Sequence, residues 1–333
     1  MLRYVPEGGA LPLKHPHYQL RQNKAVDRLT LIDAIKRVVG REEPRRYTYY
    51  GMGGPYLEDF RMIYEFFPEM RMVSIEENED THKRQHFHLP CRGNRLKLKH
   101  ATLSDFLAEY EAMDEKSVFW LDFTDLEFAN LDAFMDLLGK VGAGSIVKIT
   151  LPCNPPSYQD LDQEKQFKKA LEFIRKFETL LPSSFTTPPL KTNLFALLVQ
   201  DMVRIASQRA LSSAMQNMFL PLCSFYYNDG TAMFSLTGLI SLRSEEPIAR
   251  RPFKNWQLAN LDWTPPKEIS TPSLSTKERL HLQRHLPRSG DAGKVLLRSL
   301  GYLIDEDKTR TEAQLQQYAD FHRYFPYFVK AIP

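Results

Sequence analysis

From Tyr47 to Leu151 the chain repeats one rhythm, five short apolar runs separated by four helix-like stretches, and few folds accommodate it. Residues 47–50, 70–75, 96–100, 118–121 and 145–151 have the length and the aromatic or β-branched content of buried strands. Residues 56–67 (ended by Pro68), 78–88, 104–110 and 131–141 carry the helical pattern between them, with Ser104 placed to cap the third. Strands alternating with helices are βαβ units, which build a parallel sheet covered on both faces. A leading helix over 23–39 sets Val26, Leu29, Ile32, Ile35 and Val38 at helical spacing.

Further on the pattern changes. Two helices, 159–181 and 193–215, are separated by a proline-bearing stretch. Two apolar, aromatic runs, 218–227 and 231–242, then flank Asn228-Asp229-Gly230, and an Asp-Gly turn between such runs signals a hairpin. The predicted architecture is α/β: a doubly wound, mostly parallel seven-stranded sheet that ends in an antiparallel hairpin. From Ser244 the chain turns rich in Arg, Pro and Trp and reads as a linker, followed by helices over 276–285, 292–300 and 312–322. Three parts result: 1–46, a leader and covering helix; 47–243, a Rossmann-like domain; 244–333, a linker and small C-terminal helical module.

With 333 residues and 43% hydrophobic content, such a core needs no disulfide or structural metal. Cys91, Cys153 and Cys223 form no CxxC pair and no zinc spacing, which fits a reducing compartment. No segment approaches the ~20 apolar residues of a membrane span, and the first residues lack a signal-peptide core. The expectation is a cytoplasmic protein. His82, His86 and His88 cluster without ligand spacing and read as surface residues, so no metal site is expected. HExxH, serine-elbow and Walker A motifs are absent from the sequence, which removes support for protease, esterase and nucleotide-hydrolase chemistry.

Ligands of a parallel sheet bind beyond the carboxyl ends of its strands. Those ends carry Gly51-Met52-Gly53-Gly54 after the first strand, Glu76-Glu77 after the second, Asp105 just beyond the third, and Asp122 and Asp125 after the fourth. Glycines admit close approach of a ligand to the backbone. An acid after strand two can accept hydrogen bonds from two ribose hydroxyls. Arg21 and Lys24, at the start of the leading helix, are candidates to grip a carboxylate or phosphate of a substrate.

This ordered series resembles the class I S-adenosylmethionine-dependent methyltransferases over roughly 47–242, terminal hairpin included. The resemblance implies that Gly51, Met52, Gly53 and Gly54 flank the methionine part of S-adenosylmethionine. Glu76 or Glu77 would hold the ribose, and Asp105 would sit beside the adenine. Asp122 and Asp125 would lie where the methyl group is transferred to an oxygen or nitrogen nucleophile. Either is then a candidate base, with Glu127 next. The acceptor, whether nucleic acid, protein or small molecule, is not readable. Arg250-Arg251, Lys254, Trp256 and Trp263, with Arg279, Arg284, His285 and Arg288, mix cations with aromatics as a nucleic-acid surface can. Tyr49 stands where the methyltransferase glycine motif carries an acid. That departure keeps two alternatives open: a degenerate Rossmann-fold binding protein, and an NAD- or nucleotide-binding enzyme.

Overall fold

The fold is seen in a computed structural model that describes residues 21–40, 44–91, 93–111, 116–155, 163–288 and 290–325. The leader before Arg21 and most of the proline loop at 154–158 lie outside the described residues.

Five strands, β1 (Tyr47–Gly51), β2 (Arg71–Glu76), β3 (Leu96–His100), β4 (Lys116–Asp122) and β5 (Ile146–Pro152), run parallel in the order β3-β2-β1-β4-β5. Strands β6 (Asn217–Asn228) and β7 (Ala232–Leu242) form the hairpin, and β7 lies antiparallel between β5 and β6. The sheet has eight strands, not seven. The additional β8 (Lys267–Ile269) pairs parallel with β6, inside the stretch the sequence presents as linker. Three residues are too few to display an alternation, and the preceding Pro265-Pro266 disguises them further.

Helix α1 (Gln22–Val39) precedes the sheet, and α2 (Glu58–Phe66), α3 (Glu79–Phe87), α4 (Leu103–Glu109) and α5 (Phe128–Lys140) connect the parallel strands. Helices α6 (Gln163–Phe177) and α7 (Thr192–Ala210) lead into the hairpin. A short α8 (Glu246–Arg250) follows it, and α9 (Thr276–Gln283), α10 (Ala292–Leu300) and α11 (Lys308–Phe321) complete the chain. The cap of α4 is Thr102 rather than Ser104. The Thr102 hydroxyl accepts the backbone N–H of Asp105 at 3.0 Å, which places Ser104 inside the first turn.

Alternation along β4 divides the interior. Val118 and Trp120 face one apolar cluster, which takes in α1, α2 and the C-terminal helices; Phe119 and Leu121 face the other, built on α5 and α7. Leu315 and Tyr318 of α11 share the first cluster with Val26 and Leu31 of α1, so the C-terminal helices pack on the sheet domain. Burying each such side chain contributes roughly 1.5–3 kcal/mol.

Candidate active site

The turn after β1 is shaped by two glycines. A Cβ on Gly53 would lie 2.6 Å from the side chains of Leu57 and Phe60 and 2.8 Å from the Ser74 hydroxyl, so no larger residue fits. Gly54 has φ +51°, the left-handed region that favours glycine. Gly51 itself is the buried last residue of β1. The turn is held by the buried Gln85 of α3, whose amide donates to the Gly54 carbonyl at 3.0 Å and whose oxygen accepts the Ser74 hydroxyl at 3.2 Å.

Three hollows meet at the carboxyl ends of the strands, and all three share Met52 and Asp122 as walls. One of about 360 Å³ lies over β2 and β4, with Glu76, Glu77, Leu103 and Asp125 around it. A narrow one runs past Gly53 and Gly54 to Asp59 and Arg28. The third, about 320 Å³, opens between α1 and the hairpin and is walled by Arg21, Lys24, Phe123, Tyr227, Asp229 and Met233.

Of the two acids after β2, Glu76 is half-buried and Glu77 exposed. Burial pushes the Glu76 carboxyl above the usual carboxylate range, against the backbone N–H of Asn78 that it accepts at 2.9 Å. Asp105 is not brought to these hollows. It is exposed, and its carboxylate accepts the Thr102 hydroxyl at 2.7 Å, a role that completes the start of α4. Asp125 borders the larger hollow with Glu76 and accepts the Thr124 hydroxyl at 3.1 Å. Glu127, exposed, is paired with Lys176 at 2.5 Å.

Helix α1 contributes more than a cover. Lys24 and, three and four residues on, Asp27 and Arg28 lie on the side turned to the sheet and are all buried. The Lys24 ammonium meets Asp122 Oδ2 at 2.5 Å and lies 5.8 Å from the centre of the Trp120 ring. Arg28 pairs with Asp59; burial opposes its charge, yet Asp59 more than compensates and raises its pKa. Asp27 accepts from the Lys148 ammonium at 2.7 Å and from the Ser235 hydroxyl at 2.7 Å, and all three side chains are fully buried. The start of the helix is fastened to the hairpin turn, where Asp229 accepts the backbone N–H of Lys24 at 2.8 Å and the Asn23 amide at 3.0 Å.

Sequence reasoning named Lys24 but missed Asp27, Arg28, Lys148, Tyr227 and Asp229. A signal existed for Lys148: a lone charge inside the apolar run of β5 must find a partner if that strand is central. Tyr227 carries no such signal, being one aromatic among several. Its ring is buried, and its hydroxyl has no hydrogen-bond partner among the described residues although it stands beside the third hollow. Burial, with Asp27 and Asp122 nearby, raises its pKa well above the ordinary phenol value, so it remains a proton donor.

Two of the C-terminal cations are committed within the fold, whereas Arg251, Lys254, Arg284 and Arg288 are exposed. Arg250 is tied to Glu246 and Asp262, Arg279 is buried, and Trp256 is buried with its indole N–H donated to Tyr324. Among the described residues no group of three or more His, Cys, Asp or Glu side chains is placed to hold a metal. None of the described helices is long and apolar enough to cross a membrane.

The model of a family described as "Putative O-methyltransferase" matches residues 16–333. Solved structures similar to this chain include an O-methyltransferase family protein from Burkholderia thailandensis. That match has 15% identity and a TM-score of 0.33, over 66% of this chain and 59% of the other. Another is Trm1 from Pyrococcus horikoshii in complex with S-adenosyl-L-methionine, at 10% identity and TM-score 0.46, over 90% of this chain and 78% of the other. A third is TYW2 from P. horikoshii in complex with MeSAdo, at 9% identity and TM-score 0.37, over 69% and 67%. A comparison with curated proteins finds no match.

Proposed function

The chain belongs to the putative O-methyltransferase family, and we propose that it transfers the methyl group of S-adenosylmethionine to an acceptor oxygen held in the hollow between α1 and the hairpin. The observation that carries this reading is the meeting of three hollows at Met52 and Asp122. One is suited to a nucleoside, one leads past a glycine turn, and one is separate and suited to an acceptor.

The residues fit the cofactor. Gly53 and Gly54 line the narrow hollow that would take the methionine part, and Glu76 accepts the ribose hydroxyls from its half-buried position. Bound there, the sulfonium supplies an already activated methyl group, so the protein has to align the acceptor and remove one proton. Asp122, on the boundary of all three hollows, takes the proton of the acceptor hydroxyl. S-adenosylmethionine bound there would supply the methyl group, its sulfur keeping the electron pair of the carbon–sulfur bond and leaving as the neutral thioether. Lys24 keeps Asp122 oriented and offsets charge gathering on the acceptor oxygen. The Tyr227 hydroxyl is the donor available to position that oxygen. Asp125 belongs to the nucleoside side and has no part in the proton transfer.

Calorimetric titration with S-adenosylmethionine and S-adenosylhomocysteine, with NAD as control, tests the reading. Binding of both sulfur compounds, abolished by Gly53→Arg and weakened by Glu76→Ala, is the expected result. Binding of NAD alone would transfer the chain to the dinucleotide class, and binding of nothing would leave a recognition module.

A further inference from the structure

A hollow of about 550 Å³ lies outside this site. It lies toward the amino ends of β1–β4, whereas the cofactor hollows lie beyond their carboxyl ends. It exists because α4 is short: seven helical residues span only ~10 Å, against roughly 17–20 Å for strands of five or six residues. The sheet face behind α4 is therefore left uncovered at one end.

The register gives that face a polarity. Tyr50 stands beside Phe119 on one side and Val73 on the other, and Val73 stands beside Lys97. One step back, Thr48 stands between Ser117 and Arg71. Each row thus passes from ring or hydroxyl over β4 and β1 to cation toward β3. The aromatic end is fixed in place. Tyr50 stacks on Phe119 with centroids 4.4 Å apart, Tyr110 meets Tyr50 edge-on at 5.5 Å, and the Tyr110 hydroxyl shares a 2.8 Å hydrogen bond with Ser117. At the other end Arg71, Arg95 and Lys97 are exposed on the rim, and Lys99 is already held by Glu109 at 3.1 Å. Four cations against two carboxylates leave the hollow electropositive.

A flat ring at one end and an oxyanion at the other is the chemistry this hollow selects. We propose that it is a nucleotide-binding site, with the base against Tyr50, Phe106 and Tyr110 and the phosphate on Arg71, Arg95 and Lys97. Its volume lies within the ~300–1,000 Å³ of small-molecule pockets. Guanidinium groups suit phosphate geometry, and aromatic side chains stack any base without reading it. The cationic end opens at β3, the edge strand of the sheet, so a nucleotide within a strand can enter as readily as a free one. The inference does not depend on the methyl-transfer reading, since it concerns other residues.

The test is a titration of the full chain, with S-adenosylhomocysteine at saturation to block the cofactor hollow, using uridine monophosphate, uridine and a labelled uridine octamer. Pyrimidine probes avoid an adenosine pocket, so failure of the cofactor reading does not confuse the result. We expect the monophosphate to bind at least tenfold more tightly than uridine. The double variant Arg95→Glu/Lys97→Glu, altered only at exposed positions, should remove that difference at an unchanged melting temperature. Tyr110→Phe should bind like the parent. Tighter binding of the octamer, with log affinity falling steeply against log salt, would identify a strand as the source; equal binding of octamer and monophosphate would identify the free nucleotide. Equal affinity for monophosphate and uridine, absence of binding by all three probes, or binding that the double variant does not weaken would each overturn the proposal.

Discussion

Lys24, in the first turns of α1, reaches Asp122 at the end of β4, 98 residues later, with Nζ 2.5 Å from Oδ2 and both side chains mostly buried. This pair closes the cofactor hollows on the side of the leading helix. Removing one partner leaves the other charge stranded. Asp122→Asn or Lys24→Met alone should cost about 2 kcal/mol of stability, between the values typical of exposed and of fully buried pairs. The double variant should cost less than the sum. Chemical denaturation of all four proteins gives the coupling, and strict additivity would show that the contact is inconsequential.

With Glu76 holding the ribose as proposed, cofactor binding should depend on pH. The Glu76 carboxyl is raised in the folded protein, so the folded state binds more protons than the unfolded one, and this group's contribution to stability falls as pH rises from its ordinary value through its folded one. Ribose hydroxyls require the carboxylate. Affinity for S-adenosylhomocysteine should therefore drop as pH falls through the raised value, with protons released on binding. Calorimetry in two buffers of different ionisation heat reads that release. In Glu76→Gln the dependence should disappear.

Gly53 tolerates no side chain. In Gly53→Ala the new methyl group meets Leu57, Phe60 and Ser74, and overpacking of this kind costs roughly 1–3 kcal/mol. The melting temperature should fall and cofactor affinity with it. Gly54→Ala meets no atoms and only a strained φ, so its loss should be smaller, about 1 kcal/mol. Equal effects at the two positions would contradict the close packing seen at Gly53.

The buried hydroxyl of Tyr227 is a liability to the fold. A buried donor without a partner costs about 1–3 kcal/mol. Tyr227→Phe should therefore raise the melting temperature while it weakens capture of the acceptor. A fall in melting temperature would show that the hydroxyl is satisfied in solution.

Lys148, Asp27 and Ser235 form a closed polar knot inside the core. Lys148→Met strands a fully buried carboxylate and should cost about 3–5 kcal/mol. Lys148→Met with Asp27→Leu should recover most of that loss. Denaturant midpoints for the single and double variants decide the matter.

The parallel strands and the hairpin were legible because each carries a local signal, an apolar run of the right length or an Asp-Gly turn. That Glu76 and the glycine turn stand at strand ends beside the hollows was legible from the strand pattern; their contact with a ligand is the proposal made above. Asp105 has two readings for an instructive reason: an acid three residues after Thr102 satisfies a helix start as well as it serves a ligand, and spacing alone does not separate the two uses. The eighth strand and the network on α1 were not legible. A three-residue strand has no period, and the partners of Lys24, Asp27 and Arg28 come from β4, β5, β7 and the first turn of α2, a convergence that only the folded sheet creates.

The anchoring of α1 has a consequence for synthesis on the ribosome. Its first residues are fastened by Asp229, 205 positions later, and its last turns by Tyr324, whose hydroxyl donates to Asp33 at 2.6 Å. At about 5–20 residues per second, roughly 10–40 s elapse between emergence of the helix and of the turn that holds it. Throughout that interval the buried face of α1, with Lys24, Asp27 and Arg28 on it, waits in the open. A nascent chain of this protein has to be kept from aggregation by something other than its own fold, and a truncated one never assembles its pocket.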